Sequence, residues 1–204
     1  MDDLQTPQEQ RGIVAPDDYV AVPANVPIIA ETREEFIRTL PQKATIAEIG
    51  VAQGGFSQRI CLCNPKKLYL VDAWDLINVG EDWVSIARKD ELICRGFFKA
   101  FANVEVIKAT SSDASQKFTG ESLDWLYLDS DHTEKAVFND LVMWLSKVKV
   151  GGYLMGHDFC FTGTWNYGVV PAVFHFIHTE AVKLVGMTEY TGEEFPSFIL
   201  QRIQ

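Results

Sequence analysis

The residues best suited to chemistry fall in four places along the chain: Glu48 to Ser57 (EIGVAQGGFS), Asp72, the cluster Asp129-Ser130-Asp131-His132, and the pair His157-Asp158. Gly50, Gly54 and Gly55 lie between an apolar run and an amphipathic one, where missing side chains let a backbone turn tightly and approach a ligand. A dinucleotide site would carry GxGxxG there to set a pyrophosphate on a helix N-terminus, whereas this turn reads Glu-x-Gly-x-x-x-Gly. A carboxylate ahead of the first glycine repels phosphate and favours a cation. Asp72 follows Gly50 by 22 residues, about the spacing at which an acid ending the next strand accepts from both hydroxyls of a ribose. The expected ligand of this turn is a nucleoside.

These groups need strands to carry them, and the sequence supplies strand and helix in alternation. ATIAEIG, KLYLVDAW, NVEVIKA, LDWLYLD and YLMGHDF read as strands, LDWLYLD being apolar on both faces as an interior strand must be. Between them, FSQRICLC, Trp83 to Phe101 and SDASQKF read as helices. Val137, Leu141, Trp144, Leu145 and Val148 mark another, with Asp131 and Glu134 placed as N-cap and N3 partner and Gly151-Gly152 as its end. ETREEFIRTL is a short helix stopped by Pro41, and VVPAVFHFIHTE a helix with Pro171 in its first turn. AVKLVGM and SFILQRI close the chain as an antiparallel strand pair. The expected architecture is α/β: a Rossmann-like, seven-stranded, mostly parallel sheet with helices on both faces, formed by one domain over residues 31–204 behind an arm at 1–30.

Composition narrows the partners. The 204 residues carry 28 Asp and Glu against 18 Lys and Arg, a net charge of -10, so nucleic acid and acidic membrane surfaces are repelled before contact. No apolar run approaches the roughly 18 residues of a spanning helix, and the acidic start does not read as a targeting peptide, so a cytoplasmic protein is expected. Cys61, Cys63, Cys94 and Cys160 match neither a zinc nor a disulfide framework and read as reduced, apolar filler. His175 and His178 read as packing histidines of their helix. Monomer and homodimer are both compatible with the sequence.

EIGVAQGGFS, LYLVDAW and above all LDWLYLDSDHTEKAVFNDLVMWLSKVKVGGYLMGHDF resemble the class I S-adenosylmethionine-dependent methyltransferases, and among them the macrocin O-methyltransferase-like proteins, over residues 45 to about 180. The resemblance implies S-adenosylmethionine as cofactor. Glu48 and Gly50 would then lie beside its methionine part, with Asp72 on the ribose, Ser111, Ser112 and Asp113 bordering the adenine, and Trp74 stacking on the nucleoside. Gly54, Ser57 and Asp129 would also border the cofactor, Ser57 standing one residue later than in many relatives.

Methyl transfer from a sulfonium is an in-line displacement that needs an aligned, deprotonated nucleophile. The family's strand order makes the strands ending at Asp129 and His157 neighbours, about 5 Å apart, so that Asp129 and Asp158 converge. Such a pair of carboxylates needs a proton or a cation between them, and Mg²⁺ or another divalent ion held by Asp129, His157 and Asp158 is one solution. A histidine at 157, where relatives carry an acid, suits softer metals or a base, and His132 is a second candidate base. The expected activity is O-methylation of a small hydroxylated molecule such as a sugar or polyketide. A binding module that keeps the fold without turnover is the alternative, and a nicotinamide dehydrogenase is disfavoured by the missing GxGxxG.

Overall fold

The computed structural model describes residues 21–76, 81–161, 168–179, 181–192 and 194–204. Its centre is an eight-stranded sheet in the order β1-β7-β8-β6-β5-β2-β3-β4. The strands are β1 (Ile28–Ala30), β2 (Thr45–Ile49), β3 (Lys67–Asp72), β4 (Val104–Lys108), β5 (Leu123–Leu128), β6 (Val148–Gly156), β7 (Val182–Thr188) and β8 (Phe198–Arg202). The helices are α1 (Arg33–Arg38), α2 (Gly55–Cys61), α3 (Glu81–Phe98), α4 (Ser111–Ser115), α5 (Glu134–Leu145) and α6 (Val169–Ile177). All strand pairs are parallel except those of β8, which runs antiparallel between β6 and β7. The expected C-terminal antiparallel pair is therefore present. An eighth strand, β1, joins β7 from within the stretch read as an arm: three residues are too few for an alternating pattern to show.

Helices cover both faces, and each face has its own core. Leu126, Leu141, Trp144, Val173 and Phe176 pack on one side, while Ile46, Ile60, Leu70, Trp125 and Tyr127 pack on the other. Alternate residues of β5 thus serve opposite cores, which is why LDWLYL is apolar throughout.

Both ends of α5 differ from the sequence reading. The N-cap of α5 is Thr133, whose hydroxyl accepts from Ala136 N, while Asp131 accepts from Thr133 N and forms the turn just before it. An Asp two residues ahead of a Thr offers two cap candidates, and the Asx turn takes the first. The glycines at 151 and 152 do not end this helix; α5 stops at Leu145, and the glycines lie inside β6, where the pairing with β5 shifts register. A Cβ on Gly152 would stand 2.5 Å from the Asp124 carbonyl oxygen, so the close approach of the two strands requires glycine there.

Order reverses between β5 and β2, placing the crevice where an open α/β sheet binds its ligand at the carboxyl ends of these two strands. Leu126 is fully buried on β5 beside that crevice. Leu126→Ala should lower the unfolding free energy by about 2 to 5 kcal/mol, measured by urea denaturation.

Candidate active site

β2 ends at Ile49, and the chain turns at Gly50 with φ of +86° directly over the end of β5. A Cβ on Gly50 would fall 1.9 Å from the Asp129 carbonyl oxygen. The backbone conformation and the contact both demand glycine, and together they bring the start of the 48–57 turn to Asp129. Asp129 N in turn donates to the Ile49 carbonyl at 2.7 Å.

The next two amides, Val51 N and Ala52 N, donate to Asp72 Oδ2 at 2.7 and 2.8 Å, and Trp74 N donates to Oδ1 at 2.7 Å. Consecutive amides in such a turn form an anion cradle. Here the chain's own carboxylate fills it, so these two amides are already taken. With about four lone-pair positions and three donors, Asp72 keeps one position on Oδ1 for a ligand hydroxyl.

Around this turn opens a cavity of about 690 Å³, in the range of small-molecule sites. Glu48, Gly50 and Asp72 line its centre, Ala109, Thr110, Ser111 and Ser112 one flank, and Asp129, Ser130 and Asp131 the other. Asp140 and Met143 of α5 complete it. Of the residues expected around a cofactor, Gly54, Ser57, Trp74 and Asp113 do not line the cavity. Gly54 is the left-handed N-cap of α2, packed against Phe98. The Trp74 indole donates to the Ala52 carbonyl at 3.1 Å and braces the turn from beneath. Asp113 is exposed and accepts from the Thr110 hydroxyl. Ser57 is fully buried, its hydroxyl donating to Glu48 at 2.5 Å.

Burial pushes the Glu48 carboxyl up to about 8, against the pull of the Ser57 hydrogen bond and Arg33, so the group is largely uncharged at neutral pH.

Behind Asp129 the strand ends converge as expected, but imidazoles stand between the carboxylates. His132 Nε2 lies 2.7 Å from Asp158 Oδ2 and 3.9 Å from Asp129 Oδ1; His157 Nδ1 lies 3.3 Å from Asp158 Oδ2 and 3.8 Å from Asp129 Oδ1. Burial disfavours charge on Asp158, yet the two imidazoles outweigh it and hold its carboxyl well below the usual range. Burial likewise opposes charge on His132, and its contact with Asp158 prevails, raising its pKa. Asp129, Asp158 and His132 can each turn one donor atom to a common point, all within 4.8 Å of one another. Asp129 lines the main cavity, whereas His132 and His157 line a smaller pocket behind it. The loop carrying His132 is fixed by Gly168, where a Cβ would stand 2.3 Å from the His132 carbonyl oxygen.

Two lining residues had drawn no notice in the sequence. Asp140 accepts from Ser111 and Ser130, at 2.6 and 2.9 Å, tying the two flanks together. Its position in the apolar stripe Val137-Leu141-Trp144 was the available signal: a buried acid on such a face needs partners. Arg33, at the start of α1, reaches the cavity beside Asp129; nothing in ETREEF marks it out. His175 sits on the surface, 3.2 Å from Glu134, rather than in packing. Phe161 pairs with Ala21; residues 162–167 lie outside the described residues, as do residues 1–20 of the arm.

The profile of a methyltransferase-domain family matches residues 47–159, more than half of the chain and the whole span from the glycine turn to the His157-Asp158 pair. The chain belongs to this family. It is an S-adenosylmethionine-dependent methyltransferase. Among solved structures it is similar to an O-methyltransferase from Bacillus cereus in complex with SAH, at 19% identity over 89% of this chain and 86% of that one, TM-score 0.59. It is also similar to the N-methyltransferase NodS from Bradyrhizobium japonicum with S-adenosyl-L-homocysteine, at 14% identity over 85% and 86%, TM-score 0.59. Spermidine synthase from Thermotoga maritima shares the fold at 16% identity over 82% of this chain and 55% of that one, TM-score 0.53. No curated protein sequence matches the chain. No helix among the described residues is long and apolar enough to cross a membrane.

Because the methyltransferase holds Glu48 protonated when folded and releases that proton when unfolded, the folded state binds more protons between pH 4.5 and about 8. This contribution to stability is full below pH 4.5 and is lost as pH rises through 8. Glu48→Gln should remove a fall approaching about 1.4 kcal/mol per pH unit in that window, read as the difference between wild-type and variant urea-unfolding curves across pH.

Proposed function

We propose that this methyltransferase acts on a hydroxyl of a small acceptor, a sugar or polyketide ring, with Asp129 at the meeting point of cofactor and acceptor. The observation that carries this reading is the carboxylate and imidazole cluster behind the glycine turn. A neutral amine needs no base to attack a sulfonium, whereas a hydroxyl must lose its proton, and this end of the cavity is built to take one. Burial raises the Asp129 carboxyl above its usual range, against the opposing pull of His157 and Arg33, which makes it a better base than an exposed aspartate. The resemblance to macrocin O-methyltransferase-like proteins supports the same acceptor class.

The cofactor fits the cavity on chemistry as well as volume. The open position on Asp72 suits a ribose hydroxyl, and the small side chains of Ala109, Ser111 and Ser112 opposite Met143 suit the flat face of adenine. Glu48 and Asp129 suit the methionine part, and the acidic lining as a whole suits a cation.

The donor set of two carboxylates and one imidazole, Asp129, His132 and Asp158, also fits a divalent ion, and the imidazole favours Mn²⁺, Fe²⁺ or Zn²⁺ over Mg²⁺. His132 thus takes the ligand place expected of His157, which stands behind with its Nδ1 towards Asp158. When bound, such an ion would lower the pKa of the acceptor hydroxyl. Asp158 orients both imidazoles, and Asp129 turns its carboxylate to the cavity.

Mn²⁺ titrated into the apoprotein and followed by electron paramagnetic resonance should bind at one site that Asp158→Asn weakens at least tenfold, and a chelator should abolish methylation in a screen of hydroxylated acceptors. Full activity in chelator would remove the metal and leave Asp129 as the base. Asp129→Asn should lower kcat by about 10²- to 10⁴-fold, with a far smaller change in cofactor affinity.

A further inference from the structure

Arg33 is the one cation among the described residues that line the cavity, against the carboxylates of Asp72, Asp129, Asp131 and Asp140 and the largely neutral Glu48. Its guanidinium lies over the Phe56 ring at 4.2 Å, with Nε 2.6 Å from Glu194 and Nη1 3.2 Å from Asp129 and 3.3 Å from the Tyr127 hydroxyl. The stacking and the three polar contacts set its plane, and the side chain is only 20% exposed. Among the described residues nothing accepts from the two N–H groups of Nη2.

An amino-acid moiety brings a carboxylate into this acidic cavity, and that carboxylate needs donors. The amides of Val51 and Ala52 serve Asp72, and the buried Ser57 hydroxyl serves Glu48. Ser111 and Ser130 both donate to Asp140. These donors are thus spent within the protein, and the guanidinium, the one cation among the described lining residues, retains two.

We infer that Arg33 anchors the carboxylate of the cofactor's amino-acid moiety through Nη2, so that α1, which lies outside the matched family segment, supplies a part of the cofactor site. The inference rests on the cofactor placement proposed above. It gives α1 a function: the helix is docked through Arg33 to the loop before β8 by Glu194 and to the end of β5 by Asp129, and the cofactor completes the set. The guanidinium is always charged and its plane is held by the Phe56 stacking and its three other contacts, which a lysine ammonium cannot reproduce, so lysine at this position should substitute only in part.

The test is calorimetric and needs no acceptor. S-adenosylhomocysteine and 5′-methylthioadenosine share the nucleoside and the thioether, and only the first carries the amino acid. Arg33→Gln should raise the dissociation constant of S-adenosylhomocysteine on the order of ten- to a hundredfold, leave that of methylthioadenosine within about twofold, and Arg33→Lys should recover part of the loss. Equal weakening of both ligands, or no weakening of S-adenosylhomocysteine, would overturn the inference. The wild-type protein gives the same comparison without a variant: the carboxamide of S-adenosylhomocysteine should bind at least tenfold more weakly than the acid, and equal binding would overturn the anchor. Wild-type protein that binds none of these ligands would overturn the cofactor placement, and the anchor with it.

Discussion

The contact between Gly50 and the Asp129 backbone governs the arrangement of the site. Two parallel strands, β2 and β5, end side by side at the point where strand order reverses, and the chain leaving β2 crosses the end of β5 with no room for a side chain. Any other residue would push the glycine turn off Asp129 and part the Asp72 end of the cavity from its Asp129 end. Methyl transfer depends on holding donor and acceptor within reach and in line, and the relative position of Gly50 and Asp129 is set by two backbone segments rather than by flexible side chains.

Electrostatics follow from the same turn. In a phosphate-binding fold the amides after the first strand face an anionic ligand; here Asp72 occupies them and presents its remaining lone pair to the cavity. Glu48, beneath the turn, is buried and largely neutral, so it does not add its full charge to a lining already rich in acids. At the far end, Asp158 is kept ionised between two imidazoles while Asp129 faces the cavity with its carboxyl raised by burial. Neighbouring carboxyls are thereby set apart by their surroundings, one held ionised and the other with its pKa raised.

Much of this was legible in the sequence because it rests on local signals. Strand and helix alternation pointed to the sheet, the doubly apolar LDWLYL to its centre, and the glycine turn and Asp72 to residues that line one cavity. What stayed hidden depends on contacts between distant segments. Ser57 and Trp74 are beside the turn in sequence, yet their side chains are spent bracing it from below, one on Glu48 and one on the Ala52 carbonyl. Arg33 precedes the turn by more than a dozen residues and reaches the cavity only because β1 and α1 fold back across the sheet. That His132 stands against Asp158 depends on the loop that passes close to Gly168, a contact between distant segments.

The central claim is that one cavity holds the cofactor with its nucleoside between Asp72 and Met143 and its sulfur towards Asp129. A crystal structure of the protein with S-adenosylhomocysteine tests it most directly. The account predicts a ribose hydroxyl on Asp72 Oδ1 and the sulfur on the Asp129 side of Gly50, open to the space in front of Asp129. A cofactor in the reverse orientation, with adenine against Asp129, or one bound outside this cavity, would contradict it.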